Sequence, residues 1–307
     1  YATPISIGIA LLLVTVAYSY RQTIIAYPQG GGTYIVSREN LGTTPSLVAA
    51  SALLIDYVLT VAVSMSAAVA AITSAVHPLE PYRVELAVAL IALVTLANLR
   101  GIKESGQMFA VPTYLFILSM FTLIGVGLFK LIASGGVVPA APPPALPYVP
   151  EEVQTLTFFL LLRAFAAGCT ALTGIEAIAD GVPAFKKPEA RNASLTLVFM
   201  AVILCAMFLG TTVLANAYHI IPDGSLEPET ANSQLARMVF GSGSIFYYVL
   251  QVATMLILVL ASNTAFADFP RLSYFLAQDR FLPRQFAQRG DRLVFSNGVV
   301  ALGICSA

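Results

Sequence analysis

One apolar stretch of the chain, residues 51–74, carries oxygen-bearing side chains at helical spacing (SALLIDYVLTVAVSMSAAVAAITS). On a helix Asp56, Thr60 and Ser64 follow one another every four residues, so their oxygens line one face, with Tyr57 beside them. An ionised aspartate near the bilayer centre costs roughly 2.5–3.5 kcal/mol, which packing alone does not explain. The stretch therefore predicts an oxygen-lined path for a cation or a proton, unless Asp56 lies near a helix end and reaches water.

A second stretch whose residues could form a functional site is 168–183, GCTALTGIEAIADGVP. Thr173, Gly174 and Glu176 interrupt an apolar span near its middle, and interrupted spans line ion and substrate sites in transporters. We expect non-helical backbone within residues 173–177, with carbonyls turned toward the face that bears Asp56. A buried carboxylate in each of two spans favours one shared site, although a continuous helix is the plain alternative.

The third stretch, residues 27–42, contains three consecutive glycines (YPQGGGTYIVSRENLG). Glycines permit positive φ angles and a close approach of other elements. The flanking Pro28 and Tyr34 favour an ordered loop packed under the bundle, and a simple cytoplasmic turn is the alternative. A phosphate-binding loop is not indicated, because no GK[ST] follows the glycines.

The composition is that of a membrane protein. Of 307 residues, 58% are hydrophobic and 10% charged, against about 25% charged in soluble domains. Net charge is zero, so nothing favours nucleic acid, and the three scattered cysteines form no CxxC pair. We predict an all-α polytopic protein with one transmembrane domain over residues 1–307. The predicted spans are 5–20, 46–75, 84–99, 108–132, 153–179, 193–217 and 245–266, with a truncated eighth.

Basic residues predict the orientation of these spans. Twelve of the sixteen lie in loops on one side, which the positive-inside rule makes cytoplasmic. The proline-rich segment 134–152 is expected to be an extended surface loop on the other side. Both ends of the chain look cut, so we expect a fragment of a larger transporter.

Several segments together resemble a known family: SYRQTIIAYPQGGGTYIVSRENLG, LLIDYVLTVAVSMSA, NLRGIKESG, AFAAGCTALTGIEAIADGVPAFKKPEARNA and QRGDRLVFSNG. The triple-glycine loop resembles the signature of the amino acid–polyamine–organocation (APC) superfamily. The aspartate and TGIE segments are more specific, and resemble KUP-like potassium importers of the KimA type. The resemblance covers essentially all 307 residues.

This resemblance implies a LeuT-type inverted-repeat fold, of which the chain would supply roughly helices 2–8. It implies a potassium path lined by Asp56, Tyr57, Thr60 and Ser64 of helix 3 and by Thr173 and Glu176 of helix 6. Helix 1, the last helices and a C-terminal domain that binds cyclic di-AMP would be absent. The family implies a homodimer in the plasma membrane of a prokaryote, and no cofactor besides the transported K⁺ and H⁺.

The leading hypothesis is secondary import of K⁺ coupled to H⁺. The alternative is an amino-acid or polyamine permease, of which the amino-acid form is weakened because Asp56 would repel a substrate carboxylate. A nutrient sensor without transport is a third possibility, and an enzyme is disfavoured because HExxH and GxSxG motifs are missing.

For the proton, we assign Glu176 as carrier and Asp56 as the more constant K⁺ ligand. Tyr57, Thr60 and Ser64 would donate hydroxyls to Asp56, and Glu176 lies beside a flexible break.

Overall fold

The chain folds into a bundle of α-helices. The computed structural model describes residues 2–28, 32–101, 106–136, 157–220, 229–241, 243–288 and 295–307, and these ranges contain no β-strand. Their helices are α1 (Ala2–Ala26), α2 (Thr33–Leu41), α3 (Thr43–Ala75), α4 (Arg83–Leu99), α5 (Gly106–Ala133), α6 (Phe158–Gly168), α7 (Ile175–Asp180), α8 (Glu189–Ala217), α9 (Ala231–Phe240), α10 (Ile245–Gln278) and α11 (Ser296–Ser306). Short 3₁₀ turns occupy His77–Tyr82, Cys169–Leu172, Val182–Ala184 and Arg284–Ala287.

Six helical segments in the described ranges are long and apolar enough to cross a bilayer. They are Thr3–Ala26, Thr43–Ala75, His77–Leu99, Phe109–Ala133, Glu189–Ala217 and Ile245–Gln278. Two shorter apolar helices, α6 and α11, accompany them. The prediction of an all-α, multi-pass membrane protein is confirmed. The proline-rich segment 137–152, the glycines at 30 and 31 and residues 289–294 lie outside the described residues.

The long helices α3 and α10 form the most extensive contact in the bundle. Their facing side chains build an apolar core in which Tyr57, Val61 and Met65 of α3 meet Phe266 and Phe269 of α10. The core continues through α4 and α11. Asp56, next to Tyr57, therefore belongs to a helix that is fixed along one side.

The interrupted helix packs on the other half of the bundle. Ile175 and Ala179 of α7 contact Leu13 and Ile24 of α1 and Leu197 of α8. Gly168 ends α6 directly against α1, where an added Cβ would lie 2.1 Å from Ile9 Cδ1. A larger residue there would displace the end of the Ile9 side chain, so glycine lets α6 approach α1 closely.

Two segments that the sequence analysis assigned to loops are helical. Residues 33–41 form α2, and residues 231–240 form α9, whose Ser233, Leu235 and Val239 are buried. Both are short polar helices held by tertiary contacts, because isolated helices below about 12 residues are marginal in water. Apolar span length alone does not detect them.

Helix α10 also extends well past the predicted end at residue 266, to Gln278. Pro270 lies inside it and packs on α11, where an added Cβ at Gly298 would lie 2.9 Å from Pro270 Cβ. A proline in a helix interior removes one backbone hydrogen bond, and this packing offsets part of that loss. Asp268 and Arg271, which the analysis placed outside a span, are thus helical residues.

Candidate functional site

The predicted oxygens of α3 differ in burial only at Tyr57. Tyr57 is 5% exposed and packs in the core, whereas Asp56, Thr60 and Ser64 are half-buried. Each of the last three follows the previous one after about one helical turn. The row therefore runs along a partly accessible side of α3.

In the part of the chain that the structure describes, the hydroxyls of Thr60 and Ser64 lack the hydrogen bonds that many other hydroxyls of the bundle form. Other membrane-helix hydroxyls, such as those of Ser66 and Thr95, donate to the carbonyl one turn earlier, at 2.8 and 2.7 Å. Within the described ranges, the hydroxyls of Thr60, Ser64 and Thr173 form no hydrogen bond, and the carboxylates of Asp56 and Glu176 accept none. The expected donation from the α3 hydroxyls to Asp56 is therefore not formed. All five groups keep their oxygen lone pairs available for a ligand.

The helix break lies at the first two residues of the predicted window. After the 3₁₀ turn Cys169–Leu172, Thr173 is extended (φ −58°, ψ 133°) and Gly174 is left-handed (φ 92°). The α-helix resumes at Ile175, so the non-helical backbone expected within residues 173–177 is confined to Thr173 and Gly174. Glu176 consequently stands in the first turn of a new helix, two residues after Gly174.

Carboxylates from three elements converge around Tyr57. The negative charges of Asp56 on α3, of Glu176 and Asp180 on α7 and of Asp268 on α10 all act on the Tyr57 hydroxyl. Glu176 likewise lies within electrostatic range of the other three. Four carboxyl groups thus gather in one region of the bundle.

A cavity of about 430 Å³ opens beside this cluster. Its polar lining includes Tyr57, Asp180, Asp268 and Arg271. The other walls come from the start of α2, from Leu53 of α3, from residues 181, 183 and 184 after α7, and from the second half of α10. Its charged lining thus combines two aspartates with one arginine.

Asp180 forms part of the cavity wall and has one buried carboxylate oxygen. Its Oδ1 atom is buried and has no hydrogen-bond partner. An added Cβ at Gly32 would lie 2.6 Å from this oxygen, so the last of the three glycines must lack a side chain to accommodate it. The glycine segment therefore approaches the broken helix, as its sequence predicted it would approach another element.

A polar contact joins α2 to the end of α10 below the cavity. The Tyr34 hydroxyl donates to Asp279 Oδ2 at 2.7 Å, and the Arg38 guanidinium also donates to this carboxylate. Burial of Tyr34, followed by its bond to Asp279, raises the pKa of Tyr34 to about 12. Tyr34 thus remains a protonated donor at physiological pH.

Sequence reasoning did not identify Asp180, Asp268 or Arg271 as site residues. Asp180 lies four residues after Glu176, and this spacing already places the two carboxylates on one helix face. Asp268 lies two residues beyond the end of the predicted span 245–266, although α10 continues to Gln278. A longer α10 would have revealed both Asp268 and Arg271.

An interrupted helix beside a long helix with a half-buried carboxylate, in a bundle of membrane-crossing helices, is the architecture of a membrane transporter. The family model of the amino acid permeases matches residues 1–307, so the chain belongs to that family. It is a multi-pass protein of the plasma membrane.

Several relatives of this chain are named as potassium transport proteins. Potassium transporter KimA of Bacillus subtilis (strain 168) is 50% identical over 306 residues, which is 100% of this chain and 49% of that protein. The low affinity potassium transport system protein Kup of Yersinia enterocolitica is 27% identical over 191 residues, 60% of this chain and 30% of the relative. The Kup protein of Yersinia pestis (strain Pestoides F) matches to the same extent. The chain spans about half the length, or less, of these relatives.

Proposed function

We propose that this chain forms the ion-translocation core of a secondary transporter that imports K⁺ together with H⁺. The observation that carries the proposal is the set of oxygens left without hydrogen bonds on α3 and at the helix break: Asp56, Thr60, Ser64, Thr173 and Glu176. The identity of half its residues with a potassium transporter over the whole chain supports the same substrate.

The chemistry of these groups suits a monovalent cation. K⁺ exchanges its hydration shell for several oxygens of moderate field strength, which hydroxyls, backbone carbonyls and one or two carboxylates supply. The described residues hold no group of three or more His, Cys, Asp or Glu side chains placed to bind one metal ion. Carboxylates spread over three helices favour a mobile ion over a tightly held divalent one.

The same charges disfavour an amino acid as substrate. An amino acid brings its own carboxylate, which the charges of Asp56, Glu176, Asp180 and Asp268 repel. A polyamine has no such carboxylate and remains the alternative substrate.

Proton coupling is assigned to the pair of Asp56 and Glu176. Like charges within interaction range cannot both remain ionised at low cost, so one carboxylate takes up a proton more readily. Glu176 follows the break directly, and movement of α7 would expose it to each side in turn. We therefore assign Glu176 as proton carrier and Asp56 as the lasting K⁺ ligand.

The first test replaces Asp56 by asparagine in the full-length protein, reconstituted in liposomes. Asp56→Asn should abolish ⁸⁶Rb⁺ or K⁺ uptake, because it removes a charge that compensates for dehydration of the cation. Glu85→Gln, which neutralises an exposed acid in the first turn of α4, should retain uptake. Normal uptake by Asp56→Asn would refute the proposal.

Two further measurements separate the alternatives. Spermidine should neither be transported nor compete with K⁺ at concentrations comparable to the K⁺ used. Uptake of labelled spermidine in place of K⁺ would identify a polyamine permease. Absence of any flux with retained K⁺ binding would identify a sensor.

A further inference from the structure

A groove on the outer surface of the bundle lies between α1 and α8, on the side of these helices away from α10. It encloses about 310 Å³ and is lined by Val14, Ala17, Tyr18 and Arg21 of α1 and by Val198, Ala201, Val202 and Cys205 of α8. On each helix these positions are spaced by three or four residues, so each set forms a single stripe. The groove thus follows the two helices over about 10 Å.

The groove has a small-residue floor and tall walls. Ala17 and Ala201 are each 7% exposed and form the floor. Tyr18 and Val202, at 60% and 61% exposure, stand on its two sides. This shape accepts a narrow apolar chain such as a lipid acyl segment, and its depth exists because alanines face each other there.

Arg21 closes one end of the groove with a positive charge. Its Nε donates to Ser194 Oγ on α8 at 3.3 Å, which fixes the guanidinium across the two helices. Among the residues that the structure describes, Arg21 has no carboxylate partner. Its terminal amino groups remain available, and Arg191, exposed one turn before Ser194 on α8, adds a second charge at the same end.

We propose that this groove binds one anionic phospholipid. Its phosphate accepts hydrogen bonds from Arg21, and one acyl chain lies over Ala17 and Ala201. A guanidinium presents a planar fork that matches phosphate oxygens. Basic pockets between membrane helices on the cytoplasmic side, where the charge distribution predicts Arg21 to lie, bind anionic headgroups. An apolar groove and a cation at one end match the two parts of such a lipid.

The test is native mass spectrometry of the full-length protein with phosphatidylglycerol and phosphatidylcholine of identical acyl chains. The wild type should retain phosphatidylglycerol preferentially. Arg21→Gln should weaken its retention about tenfold, the effect expected for one charge-assisted hydrogen bond. Arg284→Gln, which removes an exposed arginine of the same predicted membrane side but outside the groove, should leave retention unchanged.

A second variant examines the acyl chain and does not depend on Arg21. Val202→Trp alters an exposed wall, so the bundle should fold, and the ring should cover the groove and lower retention of both lipids. Equal retention of the two lipids by the wild type would overturn the proposal, as would an unaffected Arg21→Gln variant. The proposal would also be overturned if inorganic phosphate alone displaced phosphatidylglycerol and Val202→Trp left lipid retention unchanged.

The occupant is identified by a photoreactive amino acid at position 202 of the full-length protein in phosphatidylglycerol vesicles. An adduct with the mass of phosphatidylglycerol supports the proposal. A cross-link to another segment of the chain or to a second copy refutes it, because the groove would then be a protein contact.

Discussion

Thr60 and Ser64 differ from most hydroxyl residues of this bundle in what their oxygens do. Ser66 and Thr95 bond back to their own helices, so they are satisfied without a ligand. Thr60 and Ser64 form no such bond within the described ranges. A polar group in a membrane helix without a partner is costly, and under the proposed function a passing cation would recover that cost.

The role of Glu176 leads to a prediction about coupling. Glutamine at position 176 imitates the protonated acid and cannot release a proton, so Glu176→Gln should abolish the acceleration of uptake by an acidic outside. K⁺ exchange without a gradient should persist, because Asp56 keeps its charge. The measurement is K⁺ flux into proteoliposomes of the full-length protein, with and without an inward proton gradient.

Glu85→Gln provides the control, since it neutralises an exposed carboxylate of α4 that lies outside the cluster around Glu176. This variant should still respond to the gradient. A wild-type response by Glu176→Gln would instead assign the proton to Asp56 or to a group outside this chain.

The predictable residues were those that break an apolar pattern. Asp56 and Glu176 each stand alone among apolar neighbours, so the sequence alone singled them out. Asp268 could not be recognised, because its significance depends on α10 continuing past it and on the packing of Pro270 against Gly298. Such tertiary support is not encoded in one local window.

At the scale of elements, the break between α6 and α7 depends on Gly174. Its φ of 92° lies in the left-handed region, where other residues are strained. Gly174→Ala should destabilise the protein by about 1 kcal/mol and reduce K⁺ uptake, because the strain favours a different backbone at the site. Thermal unfolding and tracer uptake measure the two effects.

Gly125 offers a control for this substitution. It lies within α5, and an added Cβ there would meet no atom within 4 Å. Gly125→Ala should be neutral or slightly stabilising, as expected for an unstrained helical position. Equal effects of the two substitutions would show that the left-handed turn has no special importance.

The contact between α2 and the end of α10 borders the cavity through Tyr34. The Arg38–Asp279 pair is largely exposed, with 45% of the arginine side chain accessible, so it contributes little. Tyr34 is 3% exposed and donates to the same carboxylate, so its bond is the stronger of the two. Because the pKa of Tyr34 is raised, its hydroxyl donates to Asp279 at neutral pH. The stabilisation from this hydrogen bond is lost only as pH rises through about 10 to 12.

We therefore expect Tyr34→Phe to loosen the base of the cavity more than Arg38→Gln does. A cysteine at Leu272, a buried residue of the cavity wall, should then react roughly tenfold faster with a maleimide, as expected for loss of one hydrogen bond to a charged group. The rate is measured in inside-out vesicles. A larger effect of Arg38→Gln would show that the ion pair, and not Tyr34, holds α2 to α10.

For the whole molecule, the apolar helices were predictable from length and composition, because crossing a bilayer requires about 20 apolar residues. The family was predictable only from the resemblance of particular motifs, such as the triple-glycine and TGIE segments. The short helices α2 and α9 were not predictable, since their stability comes from contacts such as those of Tyr34 and Val239 with distant parts of the chain. The site combines both kinds of element. Its acidic residues lie on the long helices α3 and α10 and on the short α7, and the start of α2 closes one wall of its cavity.

The distribution of basic residues predicts how this bundle lies in the membrane. Lys187, between α7 and α8, should face the cytoplasm, and Tyr82, at the start of α4, should face outside. Both residues are exposed, so a cysteine at either position is accessible without disturbing the core. In a variant of the full-length protein with its native cysteines replaced, a membrane-impermeant maleimide added to intact cells should label Tyr82→Cys but not Lys187→Cys. After permeabilisation both should react, which controls for accessibility. Labelling of Lys187→Cys in intact cells would show that the bundle has the opposite orientation. The cavity between α2, α7 and α10 would then open to the outside.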